Sequence, residues 1–127
     1  MIIIGYKDLP CEKFVKIQNL EDIKNTNPNE IVWFESKEYS TKFALHCKEN
    51  SIPYAVKIIN IKDLVIYSNL CAKYILISEK YLAEQSQKIA NEYFFDSKIL
   101  YIINDEGSIE NAAILGIDGV IFNKHLN

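Results

Sequence analysis

The chain has 127 residues and a mass of 14.7 kDa, the size of one domain, which we place over residues 1–127. Its net charge of −3 and pI near 5.4 argue against a nucleic-acid or anionic-membrane partner. All 14 basic residues are Lys, so the chain lacks the guanidinium forks that bind phosphate and carboxylate in bidentate fashion. No apolar run approaches the ~20 residues that cross a bilayer. The three cysteines form no close pair, which favours free thiols and a cytoplasmic location.

The first thirty residues predict short elements. Residues 1–6 read as a strand, either added at an edge of the sheet or forming a hairpin. Residues 14–17 predict a second strand and residues 19–24 a brief helix. The polar segment 25–29 predicts a turn before the first long apolar run.

From residue 31 onward, five apolar runs of 4 to 6 residues alternate with amphipathic stretches. β-branched and aromatic residues fill runs 31–34, 54–59, 74–77, 99–103 and 119–122, and these residue types favour strands. Most runs are apolar at nearly every position, which is typical of a parallel sheet covered by helices on both faces. Lys57 interrupts the second of these runs and indicates that this strand lies at an edge.

The stretches between the runs predict helices. Residues 80–94 carry one apolar stripe at helical spacing, and residues 61–71 carry another that follows Asn60. A helix around residues 39–47 must end before Pro53. Ser108 is placed to cap a short helix, and Gly116 supplies the left-handed residue that ends it.

Strands that alternate with helices predict a three-layer α/β fold with a mostly parallel sheet of five or six strands and right-handed crossovers. Two arrangements fit this pattern. One is an open sheet in flavodoxin-like order, and the other is half of a βα-barrel. The length favours the open sheet, because half a barrel exposes a sheet edge unless the edge pairs with a partner.

In such a sheet, ligands bind beyond the carboxyl ends of the strands. The polar side chains expected there define a candidate cleft of Glu35, Ser36, Ser78, Glu79, Asn104, Asp105 and Lys124. Helix capping is the competing interpretation for Ser36, Asn60 and Ser78, and a turn is the competing interpretation for Asn104 and Asp105. We expect no metal and no cofactor, because a metal site would need Glu35, Glu79 and Asp105 to lie on adjacent strands.

Several catalytic classes lack the residues that they need. The four glycines form neither a P-loop nor G-x-G-x-x-G, and no G-x-S-x-G holds a serine nucleophile. Cys47 follows His46, but adjacent helical residues point about 100° apart, so a buried and inert Cys47 is the better interpretation. His125 lies near the end of the sequence and is expected to be solvated.

The order of elements from Ile31 to Lys124 resembles the receiver domain of bacterial response regulators. The segment SIENAAILGIDGVIFNK, residues 108–124, is similar to that family's fourth helix, fifth strand and following lysine. The resemblance places the family's acidic pair at Glu35-Ser36, its phosphorylated Asp at Ser78 and its Ser or Thr at Asn104. Lys124, and in part Glu35, fits that pattern. It therefore implies a pseudo-receiver without a phosphoacceptor.

Residues 103–123 are also similar to the end of glycerophosphodiester phosphodiesterases. That family has Asn-Asp after a late barrel strand and then a Gly-x-Asp-Gly strand, which fall here at Asn104-Asp105 and at residues 116–119. Its catalytic His and its metal ligands lie mainly in the first half of a longer barrel. The chain has no His-Arg-Gly, so this resemblance carries no catalytic residue over.

Together, these observations predict a non-catalytic cytoplasmic module of receiver-like shape that acts through protein–protein contact. The aromatic residues exceed what the helix faces need, which predicts an interface with a protein partner or a homodimer. The alternative is a small enzyme or ligand-binding protein that uses the candidate cleft. It requires at least two carboxylates within ~6 Å of each other.

Overall fold

The structure, a computed structural model, describes residues 1–126. The strands are β1 (Ile2–Ile4), β2 (Lys13–Lys16), β3 (Glu30–Glu35), β4 (Tyr54–Lys57), β5 (Tyr74–Ile77), β6 (Lys98–Ile103) and β7 (Gly119–Phe122). The helices are α1 (Leu20–Lys24), α2 (Ser40–Glu49), α3 (Ile61–Asn69), α4 (Lys80–Glu92) and α5 (Gly107–Ile114), and a 3-10 turn spans Asn123–His125. Among these residues, no helix is long and apolar enough to span a membrane.

The sheet is parallel throughout and its order is β1-β7-β6-β5-β4-β3-β2. The predicted α/β class with a parallel sheet is therefore confirmed, with seven strands rather than five or six. Of the two arrangements predicted for the N-terminal strand, the structure has the edge position, where β1 pairs with β7. From β2 to β7 each strand lies beside the next in sequence. This is the order of the half-barrel alternative, whereas a flavodoxin-like sheet changes direction after its first strands.

Sequential order explains where the helices lie. Right-handed crossovers that always advance in one direction place every helix on the same face of the sheet. The buried apolar residues of all five helices accordingly join one core cluster, packed on outward-facing strand residues such as Val32, Val56 and Ile75. The other face is not under the second layer of helices predicted from the sequence. Its cluster is made of strand residues, with Ile4, Trp33, Leu76 and others buried against each other.

The sheet curls, so that side chains from distant strands pack against each other on the face opposite the helices, which we call the inner face. The rings of Phe14 on β2 and Tyr74 on β5 stack with their centroids 5.8 Å apart. Three strand spacings would separate β2 from β5 by about 14 Å in a flat sheet. His125, which follows β7, also lies 5.8 Å from the ring of Phe14. Contacts across so many strands require a half-barrel whose two edges approach each other.

The position of Lys57 corrects one prediction. β4 pairs with both β3 and β5, so it is an internal strand and not an edge. Lys57 is the last residue of β4 and is half-buried. Because it lies at the mouth of the curled sheet, its long side chain can reach water from an internal strand.

Four helices end in the same way. After α2, α3, α4 and α5 comes a residue in the left-handed region: Ser51, Cys71, Phe94 and Gly116, with φ of 55°, 64°, 54° and 73°. The next residue in each case donates its backbone N–H to the carbonyl oxygen of the residue five positions earlier, at distances of 2.9 to 3.1 Å. This is the Schellman motif, in which glycine is the usual left-handed residue. The sequence predicted it at Gly116, and the other three carry side chains.

Candidate functional site

The carboxyl ends of β3 and β4 place Glu35 beside Lys57, because these residues are partners in the strand register. The Glu35 carboxylate is half-exposed and lies 3.5 Å from the ammonium of Lys37. Glu35, Lys37 and Lys16 line a cavity of ≈ 220 Å³ between the end of β2 and α2. This part of the candidate cleft is therefore a carboxylate among ammonium groups.

Helix capping was one interpretation of Ser36, but this residue does not cap α2. Its hydroxyl donates to the carboxylate of Asp63 on α3 at 2.9 Å. Ser40 instead makes the hydrogen bonds that hold the segment before α2. Its side-chain oxygen accepts the Lys37 N–H at 2.9 Å, and its hydroxyl donates to the Glu35 carbonyl at 2.6 Å. Ser36 is too early to be the cap, because α2 begins at Ser40, three residues later than a cap at Ser36 requires. The predicted cap at Asn60 is confirmed, since its side chain accepts the Asp63 N–H at 2.8 Å.

Glu79 rather than Ser78 caps α4. The Glu79 carboxylate accepts the backbone N–H groups of Tyr81 and Leu82 at 3.1 and 2.6 Å. A carboxylate at this position also interacts favourably with the helix dipole. Ser78 is exposed, and both residues line a cavity of ≈ 410 Å³ whose walls include the exposed side chains of Ile59 and Tyr81.

The third group of predicted residues follows β6 and β7. Asp105 accepts both the N–H and the hydroxyl of Ser108, at 3.0 and 3.1 Å, so Asp105 fills the capping role predicted for Ser108. Asn104 is exposed. The ammonium of Lys124 lies 5.7 Å from the ring centroid of Phe122.

The seven predicted residues lie at or just after the ends of four strands, β3, β5, β6 and β7, at the carboxyl end of the sheet. Within residues 1–126, no side-chain hydrogen bond or ion pair joins any two of them. Over the same residues, no group of three His, Cys, Asp or Glu side chains is placed to hold a metal ion. Two of the three carboxylates of the candidate cleft, those of Glu79 and Asp105, accept backbone N–H groups at the starts of helices.

The structure brings together a pair that the sequence reasoning missed. The Cys11 Sγ lies 3.7 Å from the His125 Nε2, although 114 positions separate them. His125 is half-buried rather than solvated, because it packs edge-on against Phe14. Cys47, by contrast, is fully buried as predicted, and burial raises the pKa of its thiol to about 11.

The opposite end of the sheet contains a larger hollow, which we call the amino-end groove. It has a volume of ≈ 720 Å³ and is lined by the segments that lead into β4, β5 and β6: residues 51–53, 68–69, 71–74 and 94–98, together with Ile2. Three of its lining residues, Ser51, Cys71 and Phe94, are the left-handed residues of the helix ends.

Phe94 protrudes beside this groove. Its side chain is 88% exposed and that of the preceding Tyr93 is 70% exposed, whereas Phe95 packs against the core. At the floor of the groove the Ser97 hydroxyl donates to the Ala72 carbonyl at 2.6 Å, which satisfies both buried groups. Burial and the nearby Glu12 carboxylate raise the pKa of Tyr74 to about 12, so this phenol is uncharged at neutral pH. The groove therefore combines apolar side chains with three charged ones, Lys73, Asp96 and Lys98.

No protein-family model matches the chain, and no curated protein matches it.

Proposed function

We propose that the chain is a non-catalytic cytoplasmic module that acts by protein–protein contact, with a second copy of itself docked at the amino-end groove. The observation that supports this most directly is Phe94. An aromatic side chain in the left-handed region strains the backbone, and leaving it 88% exposed forgoes the benefit of burial. Both features are explained if the ring is buried in a partner.

A second copy fits the groove for two reasons. A two-fold interface brings the same patch from both copies together. The protruding ring of each copy can therefore enter the groove of the other copy. The charges at the rim also balance. Lys73 is paired with Glu12 at 3.0 Å, and the exposed Lys98 and Asp96 have opposite signs. Two copies therefore meet without net repulsion.

The cleft at the carboxyl ends is the weaker candidate. Glu35 and Glu79 line separate cavities, and Glu79 and Asp105 already accept backbone N–H groups. The three free cysteines support the proposed cytoplasmic location.

Sedimentation equilibrium over a range of protein concentrations tests the proposal. We expect the wild-type chain to dimerise and Phe94→Asp to remain monomeric, because the substitution places a charge in the groove. Tyr81→Asp is the matched control, since Tyr81 is 66% exposed but lies at the carboxyl end. It should dimerise like the wild type. A wild-type chain that stays monomeric at the highest concentration, or equal weakening by both substitutions, contradicts the proposal.

A further inference from the structure

Three charged side chains line the amino-end groove, and one of them already has a partner. Lys73 forms an ion pair with Glu12, with its Nζ 3.0 Å from a carboxylate oxygen. Asp96 and Lys98 are both exposed, and among residues 1–126 neither takes part in an ion pair. The groove therefore carries one acidic and one basic group whose charges are not matched within the chain.

These two groups flank a residue that fixes the backbone between them. Ser97 is buried, and its hydroxyl donates to the Ala72 carbonyl at 2.6 Å. The backbone N–H of Lys98 donates to the Lys73 carbonyl at 3.0 Å. Because a buried residue separates two exposed ones, the side chains of Asp96 and Lys98 both extend away from the core. Two opposite charges are thus presented to solvent from a segment that is anchored to the start of β5.

Two-fold symmetry gives this order of charges a particular consequence. An axis that passes beside Ser97 makes the segments of two copies run in opposite directions. A residue before Ser97 then faces the residue equally far after Ser97 in the other copy, so Asp96 faces Lys98 and the symmetry repeats this contact. An axis beside Asp96 or beside Lys98 would instead bring two like charges together, which costs free energy. The order acid, serine, base therefore favours one register of the two copies.

We propose that Asp96 and Lys98 are the specificity-determining residues of self-association at the amino-end groove, with Asp96 of each copy forming an ion pair with Lys98 of the other. This inference rests on the proposed function, because it takes the groove as the contact and a second copy as its occupant. Phe94 lies three positions from Ser97. The rings of the two copies therefore lie on opposite sides of the two ion pairs, one beside each groove. The rings provide the apolar contact, and the ion pairs set its register.

Exchanging the two charges tests the register without changing the net charge. The double variant Asp96→Lys/Lys98→Asp restores both ion pairs between two of its own copies, but it places like charges opposite each other when it meets the wild type. Sedimentation equilibrium measures each homodimer. Native mass spectrometry of the variant mixed with isotopically labelled wild type measures the mixed dimer. Both measurements use low ionic strength, because salt screens exposed charges.

We expect the double variant to dimerise as strongly as the wild type, and the mixed dimer to fall well below the share that labelled and unlabelled wild type reach together. Lys98→Asp alone should raise the dissociation constant of the homodimer roughly tenfold, since it replaces two attractive contacts by two repulsive ones. Lys80→Asp is the matched control. It makes the same change of charge at an exposed residue of the carboxyl end and should dimerise like the wild type.

A mixture of Asp96→Lys with Lys98→Asp carries the test if the double variant does not fold. The two single variants should dimerise with each other and not with themselves. The proposal is overturned if the double variant pairs freely with the wild type, if the folded double variant stays monomeric, or if Lys98→Asp weakens the homodimer no more than Lys80→Asp does. With any of these results, a dimeric wild type and a monomeric Phe94→Asp would still support the groove as the contact. A wild-type chain that stays monomeric contradicts both the register and the proposed function.

Discussion

Replacing Phe94 with glycine should stabilise the monomer, although it removes a large apolar side chain. A left-handed conformation costs an ordinary residue about 1–2 kcal/mol relative to glycine. The glycine gives back roughly 0.4–1 kcal/mol by making the unfolded chain more flexible. Because the ring is 88% exposed, its removal forfeits little burial. The net expectation is a gain of about 0.5–1 kcal/mol in the free energy of unfolding.

Urea unfolding of dilute protein measures this difference without a contribution from self-association. With a slope of ~2 kcal/mol per molar urea, the midpoint should rise by about 0.3–0.5 M while the slope stays the same. Phe94→Ala is the control, because it removes the ring but keeps a Cβ in the left-handed region, and its midpoint should stay near that of the wild type.

Gly116→Ala tests the same backbone strain in the opposite direction, because it adds a Cβ to a residue in the left-handed region. A Cβ at Gly116 would meet no atom within 4 Å, so any loss comes from the backbone at φ 73°. We expect a loss of about 1 kcal/mol. The reasoning is refuted if Phe94→Gly and Phe94→Ala both lower the midpoint below that of the wild type, because the ring would then stabilise the monomer through contacts of its own.

Three further outcomes follow from buried groups. Gly119→Ala should destabilise the chain by about 3 kcal/mol in thermal unfolding, because its Cβ would lie 2.4 Å from the Ile2 carbonyl oxygen and would force β1 from β7. Tyr54→Phe should cost about 1–2 kcal/mol in urea unfolding, since the Tyr54 hydroxyl donates to the Leu70 carbonyl at 2.7 Å and is buried. The pKa of Cys47 is raised by burial from 9.0 to about 11, so the unfolded chain loses this proton first and stability falls as the pH rises from about 9 to 11. Cys47→Ala should lose stability less steeply over that range, and an unchanged slope would contradict the assignment.

The sequence allowed the strands to be predicted well and their arrangement less well. All five apolar runs from residue 31 onward became parallel strands, because continuous burial leaves a pattern in the residues themselves. The amino-acid sequence carries no separate pattern that shows what covers the inner face of the sheet. Strand residues such as Leu76 and Leu100 look the same whether a helix or the opposite wall of a curled sheet covers them. The choice between an open sheet and a half-barrel therefore depended on length, which was the weaker guide.

The helix caps likewise divide into those that could be predicted from the sequence and those that could not. Asn60 could be predicted because its capping hydrogen bond is local, three residues along the chain. Ser36 could not, because its partner Asp63 lies 27 residues away on another helix. The Cys11–His125 pair is the extreme case. It exists because β1 pairs with β7, so that the segment after β1 meets the turn after β7, and this pairing joins the two ends of the sequence.

The two ends of the sheet differ in what their loops do. In barrel-like α/β folds the carboxyl ends usually bind ligands and the amino ends serve stability. Here the polar groups at the carboxyl ends mostly complete helix starts, as Glu79 and Asp105 do. An amino end devoted to stability would carry glycine in each left-handed position, yet Gly116 alone does so among the four Schellman motifs. The backbone strain at the other three positions does not benefit the monomer. At Phe94 this strain is combined with the exposure of a large apolar ring. It is accounted for by a role in contact with another molecule, which is why the groove beside Phe94, and not the mouth of the half-barrel, is where we place the interface.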